Sequence, residues 1–481
     1  MSRPHYRRMS ADPQAIAYTP DPRIETIADW LGDPVAPAEF PNLTLRWRND
    51  HGAKTVGLDG QSNAEWLTHF GRFDPLPGNL PTPLALRYHG HQFRHYNPRI
   101  GDGRGFLYAQ LRDASGRLLD FGTKGSGQTP YSRDGDGRLT LKGAVREILA
   151  TEMLEALGAY TSKTFSVIET GESLWRGDEP SPTRAAVLTR LSHGHIRIGS
   201  FQRLLALEET EHMAALASYC LANFPGPPPP EDAPNRDEPA VILLHQVVER
   251  MADLAASYVA SGFVHGVLNS DNMNISGESF DYGPWRWLPT WDGGFTAAYF
   301  DHAGLYAFGR QAEAIHWNCG QLAVALRLLT EAPPLIAALN RFDALFQAHL
   351  ARRVLWRLGR ESRGAEADAT LLGLAGAAMR ESGETPDNFF FRHRALTVVD
   401  GQFAEALGTH RRSALAEANA DHPIWREAQP PSLVIEEVER IWAAIDTADD
   451  WQPLTDTVTA IRKLGAALGP APSPAGHPNL A

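Results

Sequence analysis

The hydrophobic pattern of this chain changes period near residue 203, and that change limits the folds open to it. Before it, apolar residues alternate in short runs. Phe106–Leu111 and Arg117–Thr123 read as two strands joined by the turn Asp113-Ala114-Ser115-Gly116, and Thr164–Ile168 and Ala185–Leu191 read as two more. One helix interrupts them: Leu141 to Leu157 lines up Leu141, Val145, Ile148, Leu149, Met153 and Ala156 on one face and stops at Gly158. Beyond the change the period is helical, in Leu207–Ala222, Ala240–Ser261 and Gln311–Leu329, and helical patterns recur to Leu468. The expected class is α+β, with a sheet-rich unit at 41–203, a helical unit at 204–335 and further helices at 336–468. A Pro-rich irregular arm (1–40) and a Pro/Gly/Ala-rich disordered tail (469–481) flank them, and the Pro-rich stretch from Pro225 to Pro239 reads as a stiff surface connection.

The segment with the most chemistry follows the helix Ala240–Ser261. It reads Phe263-Val264-His265-Gly266-Val267-Leu268-Asn269-Ser270-Asp271-Asn272, with Asp281-Tyr282-Gly283 soon after. Protein kinases place a His, an Asp two residues on, an Asn seven residues on, and then Asp-Phe-Gly. His265 and Asn272 keep the seven-residue spacing, and Asp281-Tyr282-Gly283 stands for the last motif, but the base position is Val267. Valine cannot accept a proton, so Asp271 is the replacement base. Asn272 and Asp281 supply the neutral and anionic oxygens that Mg²⁺ takes together with phosphate oxygens. A polar loop whose Asn and Asp only cap turns is the bland alternative; the joint spacing outweighs it.

Lys124 ends a predicted strand and precedes a helix, where a phosphate-binding lysine held by a helix glutamate belongs. Two glutamates compete for it. Glu147 lies opposite the apolar stripe and Glu152 within it, and a lone glutamate in a stripe implies a buried partner, so periodicity leans to Glu152. Arg104, Arg190 and Arg197 sit near Gly-rich turns and suit phosphates, because guanidinium forks grip them bidentately. His89, His91 and His95 are spaced too loosely for a zinc site. No P-loop is present, since Lys124 precedes its glycines. Trp285, Trp287 and Trp291 read as packing or a substrate shelf. A net charge of −12 argues against a nucleic-acid partner. Cys220 and Cys319 form no disulfide framework or metal spacing, no run of about 18 apolar residues spans a membrane, and a cytoplasmic monomer is expected. A mitochondrial presequence is disfavoured by Pro4 and Pro13.

These residues together resemble the selenoprotein O (YdiU) family of protein adenylyltransferases. The resemblance rests on His91-Gln92-Phe93, Gly101-Asp102-Gly103-Arg104, Lys124-Gly125-Ser126-Gly127, Thr129-Pro130-Tyr131-Ser132-Arg133, Gly135-Asp136-Gly137-Arg138, Arg146-Glu147, His265-Gly266-Val267, Asp271-Asn272-Met273, Asp281-Tyr282-Gly283-Pro284 and Asn388-Phe389-Phe390-Phe391-Arg392, in order over residues 40–460. It implies a bilobal protein-kinase-like fold that binds ATP turned around, so that AMP passes to Ser, Thr or Tyr hydroxyls of proteins and pyrophosphate leaves. It further implies that Lys124 contacts phosphate and pairs with Glu147, and that Gly101, Gly103, Arg104, Asp136, Gly137, Arg190, Arg197 and Asp281 line the nucleotide. Asp271 is then the general base, and Asn272 and Asp281 hold Mg²⁺ or Mn²⁺. UMP transfer with Mn²⁺, kinase-type phosphoryl transfer and a non-catalytic nucleotide-binding scaffold are the alternatives. Arg94 stands where the family usually has Gly, His89 replaces a small residue, and the family's cysteines near the C-terminus and near Ala297 are absent, so its redox control is not expected here.

Overall fold

Alternation along Thr183–Ser192 puts Ala186 and Leu188 into one buried cluster and Val187 and Leu191 into another, so this strand is covered on both faces. In the computed structural model, which describes residues 16–177, 179–395 and 401–473, it lies inside an eight-stranded sheet. The strand order is Gly32–Pro34, Leu84–Leu86, Leu107–Arg112, Leu118–Lys124, Thr183–Ser192, Lys163–Leu174 and Thr44–Arg48, with Leu139–Thr140 also on Thr183–Ser192. Every pairing is antiparallel. The predicted hairpin is present as Leu107–Arg112 against Leu118–Lys124. The strands Gly32–Pro34 and Leu84–Leu86, of three residues each, are too short to show a period, whereas Thr44–Arg48 does alternate Leu45 and Trp47 with Thr44, Arg46 and Arg48 but is not among the strands expected from the sequence. The first of them, with the turns Arg23–Thr26 and Ala28–Leu31, gives regular structure to part of the stretch expected as an irregular arm, because Ile24 and Leu31 are buried in the core. Residues 1–15 of that arm and 474–481 of the expected tail lie outside the described residues.

One face of the sheet is covered by the aromatic cluster of Trp66, Phe70, Phe73, Phe121 and Phe165, brought in partly by the helix Asn63–Phe70, which Ser62 and Glu65 start with a reciprocal capping box. The other face packs against the helix Leu141–Ala156, capped by Thr140 Oγ1 accepting from Gly143 N. This helix is itself covered from behind by Gln452–Leu468.

The helical half is built around Pro239–Ser261, which begins with Pro at its first turn and ends at Gly262 with φ 64°. It is apolar almost all round and accordingly buried, surrounded by Thr210–Asn223, Gln311–Leu326, Ala332–Leu339 and Phe342–Leu358. The helix expected over Leu207–Ala222 is present as Thr210–Asn223, and a further helix that the sequence did not single out, Ile198–Ala206, precedes it across a break where Glu208 turns left-handed with φ 55°. Phe263–Val264 pairs with Arg286–Trp287, and the buried Trp287 packs 4.8 Å from Phe263. Trp285 and Trp287 are thus core. Residues 265–283 therefore form a loop whose two ends are held together by this pairing. Cys220 and Cys319 are buried and free, and no helix among the described residues is long and apolar enough to cross a membrane.

Candidate active site

A cavity of about 700 Å³ lies between the Gly-rich turns of the sheet half and the loop after the central helix. Three segments, Tyr88–Arg104, Tyr131–Arg138 and Val267–Asp281, wall it together with Arg176. Gly101, Gly103, Arg104, Asp136, Gly137, Asp271, Asn272 and Asp281 all line it, and Lys124, Glu147, Arg190 and Arg197 stand behind its inner wall. The glycines are there for space. A Cβ on Gly101 would lie 2.4 Å from the Tyr131 ring, and one on Gly137, whose φ is 69°, would lie 2.2 Å from the backbone of Gly127. The two Gly-rich turns are also tied directly, Gly127 N donating to Gly137 O at 3.1 Å.

Lys124 Nζ lies 2.5 Å from Glu147 Oε1 and 2.9 Å from Asp281 Oδ1, with the lysine and Glu147 side chains 5% and 2% exposed. The lean toward Glu152 is therefore corrected. Glu152 is also buried, but its partner is Arg462 of Gln452–Leu468, which forks onto it at 2.7 and 2.6 Å. The helix Leu141–Ala156 is packed on two sides, so its apolar stripe does not mark its one inward face, and a glutamate opposite the stripe is as deeply held as one within it.

Asp281 sits where cations converge. Beside Lys124, Arg190 Nη2 is 3.4 Å from its Oδ1 and Arg197 Nη1 is 3.9 Å from its Oδ2. Burial opposes its ionisation, but Lys124, Arg190, Arg197 and Arg104 outweigh that and hold its carboxyl well below the usual carboxylate range. Its φ of 62° is a strained value for a residue with a side chain, held by these contacts and by the core residues Phe280 and Tyr282 on either side. Arg197 binds Asp271 O at 2.9 Å and Asp102 Oδ1 at 3.1 Å, and lies over the rings of Tyr88 and Phe280 at 4.5 and 4.8 Å. Arg190 Nε and Nη1 and Arg197 Nε are buried without a protein partner. Buried guanidinium donors left over in this way favour an anionic ligand nearby.

Asp271 is different in kind. Burial pushes its carboxyl up to about 6, against the pull of the Arg197 guanidinium. Its Oδ1 is buried and accepts no protein hydrogen bond. Val267 lines the same cavity and offers no proton acceptor. Asn272 Nδ2 donates to Val267 O at 3.0 Å, which leaves the amide oxygen for a ligand. No cluster of three or more His, Cys, Asp or Glu suited to a metal occurs among the described residues. The fit for a divalent ion is instead one neutral and one anionic oxygen, Asn272 and Asp281, on one cavity wall, with room for phosphate oxygens to complete the shell. His89 and His91 are engaged otherwise, with Tyr96 OH and Gln202 Nε2 at 2.6 Å each.

Arg176 escaped the sequence reading. It lines the cavity and forks Asp136 at 2.8 and 3.1 Å, which fixes the Gly-rich turn. Its partner lies 40 residues away, so no local pattern marks it. Arg133 and Arg138 line the cavity too, at the ends of the motifs Thr129–Arg133 and Gly135–Arg138. The cavity is therefore richer in cations than the three arginines singled out from sequence.

The model of one family, described as protein adenylyltransferase SelO, matches residues 14–428. A protein from Synechocystis sp. named protein nucleotidyltransferase YdiU is 41% identical over 476 residues, covering 92% of this chain and 98% of its own length. Relatives of the same name from Trichormus variabilis and Gloeobacter violaceus are 39% and 41% identical, each over 92% of this chain and over 96% and 95% of their own lengths. With a cation-lined cavity, a carboxylate free to take a proton and matches along nearly the whole sequence, the chain belongs to the protein adenylyltransferase SelO family and is a nucleotidyltransferase.

Proposed function

We propose that this enzyme transfers AMP from ATP to Ser, Thr or Tyr hydroxyls of other proteins and releases pyrophosphate. The observation that carries the reading is the Asp271 carboxylate: it lines the cavity, its Oδ1 has no protein partner, and the position where a kinase holds its base is Val267. The acceptor hydroxyl gives its proton to Asp271 as its oxygen bonds to the α-phosphorus. The bond from that phosphorus to the bridging oxygen breaks, and the electron pair leaves with pyrophosphate. Arg104, Lys124, Arg190 and Arg197 stabilise the negative charge on the phosphates, a contribution commonly worth several kcal/mol when donors are fixed in advance. A Mg²⁺ or Mn²⁺ ion held by Asn272 and Asp281 would neutralise phosphoryl oxygens further. Gly101, Gly103, Asp136 and Gly137 shape the wall against which the nucleotide lies.

The same reading takes the fold as bilobal and kinase-like, with lobes at 41–203 and 204–335, the helical extension at 336–468, and the arm and tail outside them. The Lys124–Glu147–Asp281 chain of contacts supports it, because that set spans both lobes. A cytoplasmic monomer completes the proposal, in keeping with two buried free thiols.

The test is to incubate the full chain with protein acceptors, Mg²⁺ or Mn²⁺, and ATP labelled on the α- or the γ-phosphate. Label reaching protein from the α-position alone is expected. Label from the γ-position alone would replace the reading with phosphoryl transfer, and ATP binding without any label would replace it with a scaffold role.

A further inference from the structure

The strands Gly90–Gln92 and His95–Asn97 form a hairpin whose two tip residues, Phe93 and Arg94, both adopt the left-handed region with φ 50° and 62°. Turns of this kind draw Asn and Gly, because a bulky side chain is strained there. Strain of this sort persists only where surrounding contacts hold it, and here they come from the loop before Asp271, from Phe300 and Tyr306, and from the helix Gln311–Leu326. Phe93 N donates to Asn269 Oδ1 at 3.0 Å, and His91 N donates to Ser270 Oγ at 2.7 Å. The Phe93 ring lies 4.9 Å from Tyr306 and 5.7 Å from Phe300. Arg94 Nη2 reaches Glu313 Oε1 at 3.0 Å and its guanidinium lies over Trp317. The tip is thus docked onto the two residues that precede Asp271.

This docking builds an apolar ledge beside the cavity. Tyr299 is 77% exposed and Phe300 43% exposed, and their rings meet edge-on at 5.1 Å. With the half-buried Phe93, 5.7 Å from Phe300, they form a contiguous aromatic surface, which scattered surface residues do not. Asn269 ties ledge to cavity: it lines the cavity, and its Oδ1 receives both Phe93 N and Tyr306 OH, the latter at 2.7 Å. The cavity itself is polar and cation-rich and suits phosphates. The ledge is apolar, and Phe93, Tyr299 and Phe300 do not line the cavity.

We infer that Phe93, Tyr299 and Phe300 dock the acceptor polypeptide, gripping a large apolar or aromatic side chain a few residues from the hydroxyl that Asp271 deprotonates. The inference rests on the AMP-transfer reading for the identity of the reaction, and on the continuity of ledge and cavity for its place. An extended acceptor advances about 3.3 Å per residue, so a side chain two or three positions from the hydroxyl reaches a surface adjoining the base. The strained tip is then retained because it presents Phe93 at a fixed height over the catalytic loop.

The experiment uses the full chain and a Tyr299→Ala/Phe300→Ala variant, both of whose altered side chains are exposed. Each is given ATP labelled at the α- or γ-phosphate and Ser, Thr and Tyr peptide pools randomised around the hydroxyl, and thermal melting is recorded to verify folding. Expected is a preference of about tenfold for Phe, Tyr, Leu or Ile near the hydroxyl over Gly or Ser. The variant should lose that preference and raise KM for the preferred peptides while KM for ATP stays unchanged. An unaltered preference and peptide KM would overturn the inference. So would a change in KM for ATP alone, which would make the ledge a base-stacking surface, or a dimer seen by light scattering that the variant abolishes without any effect on peptides. If label travels from the γ-phosphate, the AMP-transfer reading falls but the peptide preference still decides the ledge. If no peptide takes label from either phosphate, both fall.

Discussion

Replacing Arg462 with alanine should weaken the protein by about 2 kcal/mol and reach the nucleotide site through one helix. Arg462 forks Glu152 at 2.7 and 2.6 Å and lies over the Trp47 ring at 5.7 Å. Removing one partner of a buried pair strands the other, at a cost of about 3–5 kcal/mol when both are buried. Here the Glu152 side chain is 6% exposed but that of Arg462 is 44% exposed, so water screens part of the attraction and hydrates the gap left behind. Two hydrogen bonds to a charged group then set the scale, which gives the figure of about 2 kcal/mol. The helix thus loosened is Leu141–Ala156, which carries Glu147. Urea denaturation measures the stability loss, and KM for ATP measures the effect on Lys124. The control is Glu152→Gln in the Arg462→Ala background, which removes the stranded charge and should restore much of the stability. A loss below about 0.5 kcal/mol, the range of ordinary surface changes, would refute the argument that this contact holds the helix. A full stability loss with an unchanged KM for ATP would show that the helix does not transmit it.

Three further outcomes follow from the site and its surroundings. Glu147→Gln leaves Asp281 as the one anionic partner of Lys124 among the contacts of its Nζ, and KM for ATP should rise up to about tenfold as the charge assistance of that hydrogen bond is lost; an unchanged KM would show that Lys124 needs no such anchor. Asp281→Ala should lower kcat at least a hundredfold or so, and a chelator should abolish label transfer by the unaltered protein until Mg²⁺ or Mn²⁺ is restored; activity in the presence of chelator would remove the metal assignment. Burial pushes the Glu278 carboxyl up from 4.5 to about 8, against His193 N–H and the charges of Arg117 and Lys163. The fold therefore holds that proton more tightly than the unfolded chain does, and stability falls as pH rises from about 4.5 through about 8. Glu278→Gln should melt higher than the parent at pH 9, by up to about 5 kcal/mol of stability, and equally at pH 4; equal melting at both would place the carboxylate in water.

What the sequence disclosed, and what it hid, follows from range. The hairpin Leu107–Arg112/Leu118–Lys124 and the helix Leu141–Ala156 are set by neighbours within a few residues, so alternation and capping name them. The strands Gly32–Pro34 and Leu84–Leu86 are three residues each and exist because they pair with one another across 50 positions. No period can be read from three residues. The loop carrying Asp271, Asn272 and Asp281 is legible for a different reason: the seven-residue spacing of His265 and Asn272, followed by Asp281-Tyr282-Gly283, matches a short pattern that can be read without knowing what packs against it.

The two glutamates show why geometry had to decide between them. A helix with one buried face has one place for a buried carboxylate, and an apolar stripe finds it. Leu141–Ala156 has two, one turned to the strand that ends at Lys124 and one turned to Gln452–Leu468. The stripe then locates the contact with the C-terminal helix, and the contact with Lys124 falls on the side the stripe leaves out. A helix sandwiched in this way couples its faces, since Glu152 cannot shift without moving Glu147 five residues before it. Arg462, 310 residues from Glu152 in sequence, is in this sense part of the machinery that sets Lys124, although nothing near it in the chain suggests a nucleotide.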